Sequence, residues 1–305
     1  MDNICLAYIA CNKSSDCNFL KQIKQIDFKK LTHMAIAFST IKKENGTWIP
    51  FVSAEIINGI RKIQTEISVQ HADTKLILSI GGASCDGFCQ ASSTYSARKQ
   101  FTAEAVKLIN ELNLDGIDID WEFPGESTLG IAGCKNCKKD FILLLEELRK
   151  QLNPNKLLTI ATGSNRYFGL NVKQIEKIVD YVFVMTYDLG YMHSNIHLSK
   201  LFINMRHIFG ISKNKLCIGV PLYGRNIKNL NKDMNFKSLS KGKITHFLGQ
   251  SFSYYNSKRW CFDTEKDIKK KALWAQKKGL GGIFCWEIKG DCRNRILNAM
   301  HEKTS

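Results

Sequence analysis

Eight short apolar runs set the fold of this chain: Ile4–Ile9, His33–Phe38, Lys75–Ile80, Asp115–Ile119, Leu157–Thr162, Tyr181–Thr186, Leu216–Leu222 and Gly281–Trp286. Each is brief, bounded by turn residues and rich in β-branched or aromatic types, the pattern of a buried strand. The segments between them carry helical spacing. Phe141, Leu144, Leu145 and Leu148 fall at i, i+3, i+4 and i+7, and Phe101, Ala105, Ile109 and Leu112 keep a similar stripe. Strand–helix alternation repeated eight times predicts parallel strands joined by crossover helices, a (β/α)8 TIM barrel. The longest interval lies between the last two runs. Its excess, about 226–262, is expected to be a short insertion between strand 7 and helix 7, on the rim of a single barrel spanning 1–305.

Composition narrows the classes. With 305 residues, 44% of them hydrophobic, and only 4 prolines, the chain can bury a large core and is neither collagenous nor disordered. No run approaches the roughly 18 apolar residues of a membrane span, and no basic-then-apolar leader opens the sequence. A net charge of +16 suits anionic surfaces. The basic residues are nevertheless scattered in small groups such as Lys269–Lys270–Lys271 and Arg98–Lys99, without a nucleic-acid-binding pattern, which predicts a solvated basic surface and no nucleic-acid partner.

The chemistry concentrates in Leu114–Asp115–Gly116–Ile117–Asp118–Ile119–Asp120–Trp121–Glu122–Phe123–Pro124–Gly125. Strand side chains alternate between faces, so Asp118, Asp120 and Glu122 share one face and Ile117, Ile119 and Trp121 the other. The apolar set needs the helical layer, which turns the acids into the barrel over about 13 Å. Three ionised carboxylates packed there are costly. Some must share protons or have raised pKa values, as general acid catalysis requires. Asp115 is out of phase and reads as structural.

This segment resembles the D-G-x-D-x-D-x-E signature of glycoside hydrolase family 18, the chitinases and their relatives, and the resemblance extends along most of the chain. Ser79–Ile80–Gly81–Gly82 is similar to the family's S-x-G-G, and Met185–Thr186–Tyr187–Asp188 to its M-x-Y-D. Gly219–Val220–Pro221–Leu222–Tyr223–Gly224–Arg225 and Gly281–Gly282–Ile283–Phe284–Cys285–Trp286–Glu287 resemble its last two strand motifs. Taken singly, each outlying motif reads as a flexible turn, barrel filler or core. Five in the right order do not.

The resemblance implies retaining hydrolysis of β-1,4 bonds between N-acetylglucosamine units, in which the substrate's own acetamido oxygen attacks the anomeric carbon. Glu122 is then the acid and later the base. Asp120 holds the acetamido N–H, Asp118 exchanges a proton with Asp120, and Tyr187 hydrogen-bonds the acetyl carbonyl. Trp286 forms the floor under the sugar, with Tyr223, Asp188, Arg225, Met185, Phe38 and Tyr8 as further substrate contacts. No cofactor and no metal is expected, and the partner is chitin or an N-acetylglucosamine-containing oligosaccharide bound by a monomer. Such a substrate favours an extracellular site of action. Ala83 departs from the family, where tryptophan commonly follows the paired glycines. A shallow, endo-acting cleft is therefore expected, with Tyr254, Tyr255 and Trp260 of the insertion as substitute platforms. The rival readings are an endo-β-N-acetylglucosaminidase, a cell-wall or peptidoglycan hydrolase, and a chitin-binding lectin. Lectin relatives typically lack the acid that this chain retains at Glu122.

Of the 11 cysteines, Cys5, Cys217 and Cys285 fall inside expected strands as small buried residues. The other eight are expected in loops, where they could make four disulfides, with free thiols as the second reading. Cys85, Cys89, Cys134 and Cys137 follow neighbouring strands, so a four-thiolate zinc site is a third geometry. Asn12–Lys13–Ser14 and Asn45–Gly46–Thr47 match glycosylation acceptors.

Overall fold

The computed structural model describes residues 3–127, 133–164 and 170–302. In chain order the strands are β1 (Ile4–Ala10), β2 (His33–Glu44), β3 (Thr47–Phe51), β4 (Lys75–Gly81), β5 (Gly116–Asp120), β6 (Leu157–Gly163) and β7 (Tyr181–Met185). There follow β8 (Leu216–Pro221), β9 (Tyr223–Asn226), β10 (Asn229–Asn235), β11 (Lys243–Phe247), β12 (Gln250–Tyr255), β13 (Lys258–Phe262) and β14 (Gly282–Trp286). The α-helices are α1 (Cys17–Ile23), α2 (Ala54–Val69), α3 (Phe88–Ser92), α4 (Tyr95–Glu111) and α5 (Cys137–Gln151). After these come α6 (Val172–Ile178), α7 (Ile196–Ile208), α8 (Phe236–Leu239), α9 (Glu265–Lys277) and α10 (Arg295–His301).

Strands β1, β2, β4, β5, β6, β7, β8 and β14 pair in parallel, and β1 pairs with both β2 and β14, so the sheet closes into an eight-stranded (β/α)8 barrel. All eight expected runs supply its strands. Alternation along each strand separates two apolar clusters. Ile4, Leu6 and Tyr8 of β1 point into the barrel with Ala35, Ile77, Phe183 and Phe284. Cys5, Ala7 and Ile9 point outward into the larger cluster with the helices, where the expected stripes on α4 and α5 also pack. Ile117, Ile119 and Trp121 belong to that outer cluster, which leaves Asp118 and Asp120 facing inward.

Two features depart from the sequence reading. The second strand runs on past Phe38 to Glu44 and turns back through Asn45–Gly46 into β3, with Glu44 opposite Thr47. Both turn residues have positive φ, the requirement of the two-residue hairpin that Asn-Gly favours. The insertion begins earlier than 226: β9 follows β8 almost directly, and the antiparallel sheet β10-β9-β13-β12-β11 ends at Phe262. Its Phe236, Leu239, Trp260 and Phe262 join the apolar cluster of the barrel's helices. Trp260 is buried and its Nε1 donates to the Tyr255 carbonyl at 3.2 Å, so it offers no sugar platform.

The basic triplet is also only partly solvated. Lys271 is fully buried on α9, its Nζ 2.6 Å from Asp263 Oδ2 and 2.6 Å from the Ser194 carbonyl. The helical period turns the third lysine of the run inward, and the buried carboxylate opposite makes that tolerable. Among the described residues no helix is long and apolar enough to cross a membrane.

Candidate active site

Glu122 stands two residues past the inward-facing Asp120, just beyond the carboxyl end of β5, where a barrel of this kind carries its reactive groups. β4 approaches β5 closely at this level. Gly81 has φ +118°, and a Cβ there would lie 2.2 Å from the Asp120 carbonyl oxygen. That carbonyl accepts the Gly82 N–H at 2.9 Å. The paired glycines therefore seat β5 against its neighbour.

Asp118 lies deepest, with Oδ2 accepting from Tyr8 OH at 2.8 Å and Ser79 Oγ at 2.7 Å, and Oδ1 from Thr159 Oγ1 at 2.8 Å. Burial raises its pKa, and these three hydrogen bonds oppose the rise. Asp120 is buried, and its Oδ1 accepts no hydrogen bond among the described residues. Burial first, then the charges of Glu122 and Asp118, push its pKa well above the usual carboxylate range. Glu122 is raised to about 7 by burial and then by Asp188. All three acids thus hold protons more tightly than free carboxylates, with burial the first cause in each.

Asp188 is the opposite case. Burial works to raise it, but hydrogen bonds from His193, Arg225 and Tyr223 outweigh burial and hold it well below the usual range. Tyr223 OH donates to Oδ2 at 2.7 Å and Arg225 Nε to Oδ1 at 2.7 Å. His193 Nδ1 lies 3.3 Å from the same Oδ1, and its Nε2 is 3.3 Å from the Tyr223 carbonyl.

A cavity of about 430 Å³ opens over these acids, and Tyr8, Phe38, Asp120, Glu122, Met185, Tyr187, Asp188, Tyr223, Arg225 and Trp286 all line it. Phe38 and Trp286 stack with centroids 5.3 Å apart, making an apolar wall. A second hollow, of about 640 Å³, shares Ala83, Glu122, Met185, Tyr187, Asp188 and Arg225 with the first. Glu122 therefore stands where the two hollows meet. Of the expected residues of the barrel itself, Asp118 alone does not line the cavity, lying beneath Asp120. Asp115 accepts the Leu76 N–H at 2.8 Å and ties β5 to β4.

The model of the glycosyl hydrolases family 18 matches residues 6–291. The chain belongs to that family. Its curated relatives include Chitinase 1 of Aphanocladium album, 28% identical over 76% of this chain and 66% of the relative. Chitinase A1 of Niallia circulans is 24% identical over 82% of this chain and 44% of that protein. The chain thus spans about two thirds of the first relative and under half of the second. Among solved structures, a class V chitinase from Nicotiana tobaccum superposes with TM-score 0.83 at 21% identity, covering 98% of both chains. A chitinase-like agglutinin from Robinia pseudoacacia superposes with TM-score 0.82 at 20% identity, covering 97% of this chain and 98% of that one. At such identities the likeness is one of fold.

Sequence reasoning missed several contributors. Thr159 shares an inward phase with Ala161 on β6, so alternation could have found it. Ser79 lies within the S-x-G-G segment but had no assigned part. His193 has no local signal, because its role depends on the turn after β7. The insertion lines the two hollows with Leu230, Asn231, Asp233 and Asn235, whereas Tyr254, Tyr255 and Trp260 line neither.

The cysteines also differ from expectation. Cys5, Cys217 and Cys285 are buried in strands as expected, but Cys261 is buried in β13, Cys17 and Cys137 open α1 and α5, and Cys89 lies in α3. Cys134 and Cys137 form a disulfide. The four-thiolate set does not assemble. Cys85 lies in the turn before α3 with its Sγ 3.6 Å from the Asp86 carbonyl, whereas the sulfurs of Cys89, Cys134 and Cys137 come together.

Proposed function

We propose that this chain is an endo-acting chitinase that hydrolyses β-1,4 bonds between N-acetylglucosamine units with retention, using the substrate's acetamido group as nucleophile. One observation carries the reading: Glu122, its pKa raised to about 7, sits where two hollows meet, beside a buried Asp120 with an unengaged Oδ1. A sugar in each hollow places the glycosidic oxygen within reach of the Glu122 proton. Openness on both sides of the acid supports internal cleavage.

In the first step the acetamido carbonyl oxygen forms a bond to the anomeric carbon. The bond to the leaving oxygen breaks, and Glu122 gives that oxygen its proton. Asp120 Oδ1 accepts the acetamido N–H and stabilises the oxazolinium charge, while Tyr187 donates to the acetyl carbonyl and aligns it. Asp118, held by Tyr8, Ser79 and Thr159, shares a proton with Asp120 as that residue turns to the substrate. Trp286 and Phe38 supply the apolar floor. In the second step Glu122 takes a proton from water, and the oxygen of that water attacks the anomeric carbon and opens the ring with overall retention.

The lectin reading lacks support, because binding alone needs no carboxyl poised at about pH 7. The deciding experiment incubates the protein with chitin oligomers, peptidoglycan and an N-linked glycoprotein and identifies the products. Internal cleavage of chitin oligomers is the expected result, and cleavage of either other substrate in preference would replace it.

A further inference from the structure

Behind the cleft, where the proposed hydrolysis uses no residue, three sulfur atoms meet. Cys134 and Cys137 form a disulfide at the start of α5, and Cys89 on α3 places its Sγ 2.6 Å from Cys137 Sγ, closer than non-bonded sulfurs pack. All three sulfurs lie within 4.8 Å of one another. We propose that Cys89, Cys134 and Cys137 share a single disulfide that moves between two positions, Cys134–Cys137 and Cys89–Cys137.

The exchange needs no oxidant. The Cys89 thiol loses its proton and its sulfur attacks Cys137 Sγ. The Cys134–Cys137 bond breaks, and Cys134 leaves as a thiolate and takes up a proton. One S–S bond forms as one is lost.

The two isomers differ in what they tie together. The local bond spans a sequence separation of 3, the alternative one of 48. The alternative joins α3 to α5, and these helices grip the residue before the proposed acid. Phe88 of α3 stacks on Trp121 at 5.0 Å, and Phe141 of α5 meets its edge at 5.7 Å. In an unfolded chain, loop entropy favours the short bond by roughly 40-fold, from the 3/2-power dependence on loop length. Only native packing of α3 against α5 brings Cys89 into competition. Burial, then Asp86 and Asp140, raise the Cys89 thiol, so acid slows the exchange and preserves the isomers for analysis.

The test maps disulfides in the folded protein. It is equilibrated with a trace of small thiol, then blocked with a maleimide in mild acid and digested with trypsin, which cuts between Cys134 and Cys137 after Lys135. Both cross-linked peptides are expected, with Cys134 blocked in one population and Cys89 in the other. Equilibration in denaturant should enrich the Cys134–Cys137 peptide by tens of fold. Cys134→Ser should protect both Cys89 and Cys137 from the maleimide, and Cys89→Ser should retain the local bond. A single isomer in the folded wild type, reactive Cys89 and Cys137 in Cys134→Ser, or three thiolates holding zinc by elemental analysis would each overturn the proposal.

Discussion

Arg225 Nε donates to Asp188 Oδ1 at 2.7 Å, and through that contact a guanidinium at the rim acts on the proposed acid. It helps keep Asp188 ionised, and the Asp188 charge is the second cause, after burial, of Glu122's rise to about 7. The free enzyme's kcat/KM should then fall on the alkaline side of about pH 7 as Glu122 loses its proton. Asp188→Asn removes a like charge, favours the ionised carboxylate, and should move that limb toward acid by up to roughly one pH unit. A pH–rate profile of the variant with an unmoved or more alkaline limb would contradict the coupling.

Glu122→Gln removes the titrating proton while keeping the shape of the side chain. Turnover should fall at least the roughly 10²- to 10⁴-fold typical of losing an acid/base, with oligosaccharide binding retained. Near-normal turnover would remove Glu122 from the mechanism. The same variant carries a stability prediction. A carboxyl raised from 4.5 to about 7 binds its proton more tightly folded than unfolded, so its favourable contribution is complete below about pH 4.5 and lost as pH rises through about 7. Glu122→Gln should therefore raise the denaturant midpoint relative to the parent above pH 7 and change it little at acid pH.

The buried pair of Lys271 and Asp263 ties α9 to the insertion sheet and, through the Ser194 carbonyl, to the turn that carries His193. Ser194 Oγ also donates to Asp263 Oδ1 at 2.8 Å. Lys271→Met leaves Asp263 buried without its cation, and should cost about 3–5 kcal/mol in urea unfolding at constant slope. Adding Asp263→Leu should cost less than the two single changes summed, because no lone charge then remains. Additive losses would argue against a coupled pair.

The barrel and the acidic strand were legible because both rest on local periodicity. Alternation in Ile117–Asp120 separates the two faces, and those faces are the two apolar clusters' boundaries in the fold. What escaped depends on contacts between distant segments. Lys271 reads as one lysine of three until Asp263 is placed opposite it, and His193 acquires its part only when the turn after β7 meets Tyr223. Trp260 looks like a sugar platform in sequence, since nothing local says which side of β13 faces the core. Cys85 and Cys89 share a spacing, yet the start of α3 between them sends their sulfurs different ways.

The proposed retention is also compatible with attack by Asp120 itself, and the substrate's acetamido group decides between the two routes. If its oxygen attacks, a partly acetylated chitin oligomer should be cut where N-acetylglucosamine occupies the cleaved position, and bound but not cut where glucosamine does. Thiazoline analogues of the cyclic intermediate should inhibit competitively, since they present the bicyclic shape and charge that Asp120 and Tyr187 are proposed to stabilise. Fully deacetylated chitosan is a poor probe, because a polycation meets a protein of net charge +16 with long-range repulsion. A partly acetylated oligomer at moderate salt, where that repulsion is screened, isolates the chemical step. Product sequencing that finds glucosamine at the cleaved position as often as N-acetylglucosamine would make Asp120 the nucleophile and leave Glu122 as the acid.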